Sequence, residues 1–170
     1  QYLIGLYHEE IAFTDFHIGR VIEYLRQSGA LENTLVIVTA DHGEEFMEHG
    51  WLGHTHSLYD ELIHVPLIFH WPGRIRPAAT DVAASHIDIL PTIADFVGLN
   101  SAAEWQGVSL RKALETAQLN SAERDLFSEV SYITMRGELS PNIIGAITGT
   151  RKVILNRQKK RWEFYDLSSD

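Results

Sequence analysis

Apolar residues at Ile4, Tyr7, Ile11, Ile18, Val21, Ile22 and Leu25 recur close to every 3.6 positions, which predicts one long helix over residues 2–28. Gly29 follows as its stop, because glycine takes the left-handed conformation that ends many helices. Gly5 and Gly19 weaken the helix by about 1 kcal/mol each relative to alanine. The pattern then changes. "NTLVIVTA" is a continuous β-branched run without polar alternation, the mark of a strand buried on both faces, as in a parallel sheet. A second such strand, Val65 to His70 in "HVPLIFHWPGRI", is closed by the Pro72–Gly73 turn. "SHIDILPTIADFVGL" predicts a helix with Asp88 at the N-cap and Gly98 at its end. Pro91 falls in its first turn, where a missing N–H costs little. Asn100 to Gln106 reads as a loop and Leu110 to Gln118 as a short helix. The tail alternates through "IIGAITG", "RKVILNR" and "RWEFYDL", with a polar "QKK" between the last two, which predicts a small antiparallel meander.

Helix, short loop, buried strand is the α/β rhythm. The expected fold is therefore α/β, a mainly parallel sheet flanked by helices, with a small C-terminal antiparallel meander. Residues 1–125 form the α/β part and residues 126–170 the meander in this reading. No apolar run approaches the roughly 18 residues a membrane span needs. The opening QYLIGLYHEE lacks the basic start of a signal peptide and reads as helix. The chain starts without Met inside an element, which suggests a piece of something longer. Net charge is −9, so nucleic acid is not an expected partner, because its phosphates would be repelled. Cysteine is absent, which excludes a disulfide, a zinc–thiolate site or a cysteine nucleophile in this chain.

The chemistry gathers in "TADHGEEFMEHGWLGHTHSLYDE", Thr39 to Glu61. It holds four of the nine histidines and six carboxylates, and no Lys or Arg. A window of fifteen residues should hold roughly one histidine, and His42 to His56 holds four. Asp41 and His42 sit where the first strand ends, and open α/β sheets bind ligands just outside such ends. A carboxylate oxygen and an imidazole nitrogen there make half a ligand set for a divalent cation. Gly43 lets the chain turn sharply beside them. Asp41 also suits the cap of a helix starting at Gly43–Glu44, a reading that leaves His42 unexplained. His54 and His56 precede the second strand and could return to the same crevice. A substrate oxyanion there needs donors, and in this segment only imidazoles supply them. Glu44, Glu45 and Glu48 read as a solvated helix face, with Glu44 a candidate partner that orients His42. "HEEIA" has no second histidine four residues on from His8, so it is not a zinc-protease helix, and no phosphate-binding glycine loop is present.

Five segments in order, "TLVIVTADHGEEF", "EHGWLGHTHSLYDELIHVPLIFHWPGRI", "SHIDILPTIADFVGL", "WQGVSL" and "TGTRKVILNRQKKRWEFYDLSSD", resemble the sulfatase family of the alkaline-phosphatase superfamily. The resemblance covers nearly the whole chain, as that family's C-terminal half. It implies an alkaline-phosphatase-like fold, with Asp41 and His42 as ligands of a divalent metal. It places His54 or His56 where the family has a basic residue, often Lys, that binds sulfate oxygens. Calcium is usual in the sulfatases, while relatives with His lean toward manganese or zinc. The same Asp-His pair occurs in relatives that cleave phosphate esters or transfer phosphoethanolamine. The family's nucleophile motif, Cys/Ser-x-Pro-x-Arg, lies in its N-terminal half and has no match here. The implied protein is thus a sulfuric ester hydrolase acting on a sulfate or phosphate ester. Its missing N-terminal half becomes the expected partner, and this chain alone is expected to be inactive. Separation from that half would expose sheet edges and an apolar face, so self-association is expected. The alternative from another class is a non-catalytic metal-binding module.

Overall fold

A computed structural model describes residues 2–100, 102–116, 124–133, 137 and 139–169. The chain divides into two compact units, Gln1–His54 with His64–Arg76, and Thr55–Ile63 with Pro77–Asp170.

In the first unit the 3.6 pattern becomes helix α1, Tyr2–Gln27, followed by Gly29 at a φ of 73°. None of α1's residues is buried; Ile22 and Leu25 are half-buried and the rest of the predicted apolar stripe is exposed. Strand β1, Val36–Thr39, pairs with β4, Leu67–His70, from Val36 opposite His70 to Thr39 opposite Leu67. Both strands were expected, and their pairing is antiparallel. Every strand pair among the described residues is antiparallel, so the parallel sheet anticipated from "NTLVIVTA" is not seen there. The physical reason is that an unbroken apolar run reports burial and carries no information on a neighbour's direction. Val36, Ile37 and Val38 are here half-buried. Beyond β4, Trp71 is buried, donates through Nε1 to the Glu32 carbonyl at 3.3 Å, and carries the Arg74 guanidinium 4.7 Å over its ring.

No helix follows Asp41, so the helix-cap reading of that residue fails. Residues 45–53 form a hairpin instead. Strand β2, Glu45–Phe46, pairs with β3, Leu52–Gly53, and the Met47 N–H bonds the Trp51 carbonyl at 2.8 Å.

The second unit is built on a four-stranded antiparallel sheet in the order β5 (Asp125–Ile133), β6 (Leu139–Thr148), β7 (Arg151–Asn156), β8 (Arg161–Asp166). The tail pattern predicted three of these strands. β5 was not anticipated, because Ser128, Glu129 and Ser131 break its apolar run. The sheet's core joins Ile143 and Ile154 to Leu58, with Tyr59, Ile63, Val130 and Tyr165 packed around them. Gly145 makes room for Leu58: a Cβ there would stand 3.2 Å from Leu58 Cδ1. Tyr59 and Tyr165 both donate to Glu163 Oε2 at 2.7 Å. Burial and that carboxylate raise both phenols, which keeps them protonated as donors. Asp60, in the short helix α2 (Asp60–Ile63), pairs with the buried Lys152 of β7. Leu58, Tyr59 and Asp60 are thus three successive anchors on the sheet.

The helix of "SHIDILPTIADFVGL" begins as a 3-10 turn, His86–Asp88, and continues as α3, Ile89–Phe96. Asp88, expected at the N-cap, makes no side-chain cap bond for α3. Its carboxylate accepts the backbone N–H of Ser85 at 2.7 Å and of Val108 at 2.9 Å, and Arg124 closes on it with both guanidinium nitrogens. Asp88, Thr92 and Asp95 lie at i, i+4 and i+7, one face of the helix. "WQGVSL" is stitched along that face. Val108 N–H reaches Asp88, Leu110 N–H reaches Thr92 Oγ1 at 2.9 Å, and Ser109 Oγ donates to Asp95 at 2.6 Å. The short helix α4, Arg111–Thr116, follows; the rest of the predicted helix, residues 117 and 118, lies outside the described residues.

The close approach explains Gly107. A Cβ there would stand 1.9 Å from the Ile87 carbonyl oxygen and 2.9 Å from the Asp88 nitrogen. Both are backbone atoms and cannot swing aside. Gly107→Ala is expected to destabilise the chain by about 3 kcal/mol, the upper end for overpacking. Urea unfolding of the two proteins measures this; equal midpoints would show that the loop lifts away at no cost.

Candidate metal and anion site

Strand β1 ends at Thr39, and the chain leaves it through Ala40, Asp41, His42 and Gly43. Asp41 is exposed, with 90% of its side chain accessible. Its Oδ1 accepts the N–H of His42 at 3.0 Å. That bond, then the His42 charge, lowers the Asp41 pKa below its ordinary 3.8. The carboxylate is therefore ionised at any pH where the protein would work.

The His42 ring is fixed by its other neighbour. Nδ1 lies 2.8 Å from the Gly43 carbonyl oxygen, which can only accept, so Nδ1 carries the proton. In the neutral ring, Nε2 then carries the lone pair. Asp41 Oδ2 lies 3.6 Å from that Nε2. Carboxylate oxygens and imidazole nitrogens are donor types that divalent ions such as zinc take. An ionised oxygen and a lone-pair nitrogen at that separation fit a divalent cation. The pattern of a histidine held through Nδ1 by a carbonyl is the usual support of a metal-binding imidazole.

The hairpin brings in the third and fourth groups. Glu45 pairs with Gly53, and one further step of that register sets Glu44 opposite His54. His54 Nδ1 and Glu44 Oε2 are 2.9 Å apart. The His54 ring lies 4.1 Å from that of His42, centroid to centroid, tilted by 32°. One ligand atom each from His42, Glu44 and His54 fall within 4.8 Å of one another. Gly53, at a φ of 98°, lets the chain turn into this arrangement.

Of the four residues singled out from sequence, the structure brings Asp41, His42 and His54 together in the first unit. His56 belongs to the second, whose first residue is Thr55. Sequence reasoning placed Glu44 on a helix and assigned it to His42; its partner is His54. The signal that could have found this is the hairpin itself, with Gly50 and Gly53 bracketing the apolar pair Trp51–Leu52.

Comparison with known proteins gives consistent results. The Sulfatase family model matches residues 2–99. An N-acetylglucosamine-6-O-sulfatase of Bacteroides thetaiotaomicron is 32% identical over 167 residues, 96% of this chain and 30% of that protein. The chain therefore spans about a third of the length of such a relative. The solved structure of BT4656 in complex with its substrate D-glucosamine-2-N,6-O-disulfate superposes with a TM-score of 0.77 at 28% identity, covering 94% of this chain and 33% of that one. A phosphonate monoester hydrolase from Silicibacter pomeroyi does so with a TM-score of 0.75 at 29% identity, covering 92% and 33%.

Proposed function

The chain belongs to the sulfatase family, and on that premise we propose that it is the C-terminal portion of a metal-dependent hydrolase of sulfate esters. The observation that carries the reading is the pairing of an ionised Asp41 oxygen with the Nε2 of His42 at 3.6 Å, at the end of a strand. These two residues would hold the divalent ion, calcium, manganese or zinc. When bound there, such an ion polarises the oxygens of the ester being cleaved. Next to it, His54 would offer Nε2 to the transferring group, neutralising its charge or protonating the leaving oxygen. His56 is kept as the second candidate for that task. The nucleophile would come from the remainder of the longer protein, since this chain has neither Cys nor a Ser-x-Pro-x-Arg segment.

The same premise gives the uncovered surfaces a role. The apolar stripe of α1 and the second edges of β1 and β4 would be covered by the remainder of the catalytic domain, which would also complete a parallel sheet. Residues 126–170 would form its C-terminal subdomain. In isolation those surfaces would drive self-association.

Phosphonate or phosphate esters form the second reading, favoured by the likeness to a phosphonate monoester hydrolase. Assays of the full-length protein on an aryl sulfate and an aryl phosphonate separate the two. Sulfate turnover should exceed phosphonate turnover, fall about a hundredfold or more on chelation, and return with added divalent ion. The 170-residue chain alone should show background rates. Chelator-resistant turnover, or full activity of the chain by itself, would overturn the proposal.

A further inference from the structure

We propose that Glu44 is the positioning residue of His54, and that it fixes the ring in the tautomer that carries its proton on Nδ1. The inference rests on the reading of His54 given above and goes one step past it. A carboxylate of an ionised Glu accepts hydrogen bonds and donates none. The ring nitrogen 2.9 Å from Glu44 Oε2 is Nδ1, so Nδ1 carries a proton there. That proton is committed to Glu44 whether the ring is neutral or charged. In the neutral ring the lone pair is then at Nε2.

Three features of the local structure support a built arrangement. Glu44 and His54 lie one residue beyond the Glu45–Gly53 rung of the hairpin, so the ladder brings their backbones near one another. The Glu44 side chain is three-quarters buried, 26% exposed, which limits its other rotamers. The His42 ring, 4.1 Å away and tilted by 32°, closes one face of the His54 ring. His54 is thus held at an edge by a carboxylate and at a face by a second imidazole. That second imidazole is itself held through Nδ1, by the Gly43 carbonyl. Both rings are held in the same way, with Nδ1 against an oxygen of the protein itself. Free imidazole side chains in water prefer the opposite tautomer, with the proton on Nε2, so the preference imposed here is observable.

The test uses the full-length protein in wild-type, Glu44→Ala, Glu44→Gln and His54→Ala forms. NMR of isotope-labelled histidine reads the His54 tautomer directly. Wild type should show the neutral ring protonated at Nδ1, and Glu44→Ala should shift it toward Nε2. Glu44→Gln retains an acceptor oxygen and should recover part of the Nδ1 form. In kinetics, Glu44→Ala should lower kcat and kcat/KM together by about 10–100-fold with KM little changed, the range for removing a partner of a working histidine. Glu44→Gln should fall between. A purely structural role for Glu44 would lower stability and leave the tautomer and the kcat-to-KM pattern unmoved. An Nε2-protonated His54 in the wild type, or a Glu44→Ala kcat within about twofold of wild type while His54→Ala is crippled, overturns the assignment of Glu44. A His54→Ala enzyme with normal kcat overturns the underlying role of His54 instead, so the two failures are distinguishable.

Discussion

Asp41→Ala is expected to lower kcat/KM of the full-length protein about a thousandfold while leaving the melting temperature unchanged. The reasoning joins two observations. The side chain is 90% exposed and its contacts are with its own backbone and the adjacent His42, so stability hardly depends on it. Its charge, by contrast, is the hard half of the proposed ligand pair. Losing it strips a divalent ion of an anionic oxygen and leaves His42 alone, and metal-assisted polarisation is worth several decades in rate. The pH dependence follows from the lowered pKa. A depressed carboxylate keeps its ionised form above its folded value and loses it only as pH falls through that value, here below 3.8. Any loss of turnover that sets in well above that point belongs to another group. Metal titration followed by calorimetry, with Asp41→Ala beside wild type, checks the cause. Equal affinity in the two proteins would remove Asp41 from the ligand set.

The largest effect on folding is expected from Asp88→Ala, about 3–5 kcal/mol, or a fall of roughly 10–15 °C in melting temperature. Asp88 is fully buried. Its two oxygens answer four donors: Ser85 N–H, Val108 N–H and both ends of the Arg124 guanidinium. Removing it leaves a partly buried cation and two backbone N–H groups without their acceptor, and each such group costs about 1–3 kcal/mol. Arg124→Ala should cost less. Arg124 is 24% exposed, and the carboxylate it leaves behind keeps both backbone donors. The double variant should be less destabilised than the sum of the two, because the stranded guanidinium is then gone. Differential scanning calorimetry of the three proteins decides it; additive losses would mean that the pair does not act as a unit.

How much of this could be read from the residues alone depends on whether the determinant is local. The helix α1 and the strands β1 and β4 were legible, because period and β-branching act within a few residues. The direction in which β1 and β4 pair was not, since apolar runs carry no sign. The proposed ligand pair Asp41–His42 rests on a local cue, a strand end followed by glycine. Its geometry follows from the Gly43 carbonyl, which no pattern announces. Glu44 was misassigned because three glutamates at 44, 45 and 48 mimic a helix face, whereas a two-residue ladder fixes their surroundings. "WQGVSL" was recognisable only by likeness. Its physical meaning, a strip of backbone laid on Asp88, Thr92 and Asp95, needs a pairing some twenty residues long.

The course of the backbone has a practical outcome for anyone dissecting this protein. It passes from one unit to the other three times, after His54, after Ile63 and after Arg76. No single cut yields either unit intact. A fragment ended at Arg76 would retain Leu58, Tyr59 and Asp60 as orphaned plugs without their socket. One begun at Pro77 would keep Lys152 and Gly145 facing a vacant slot. Deletion mapping would therefore misreport this protein, scoring as lost chemistry what is only a collapsed scaffold, and single-residue exchange is the cleaner scalpel.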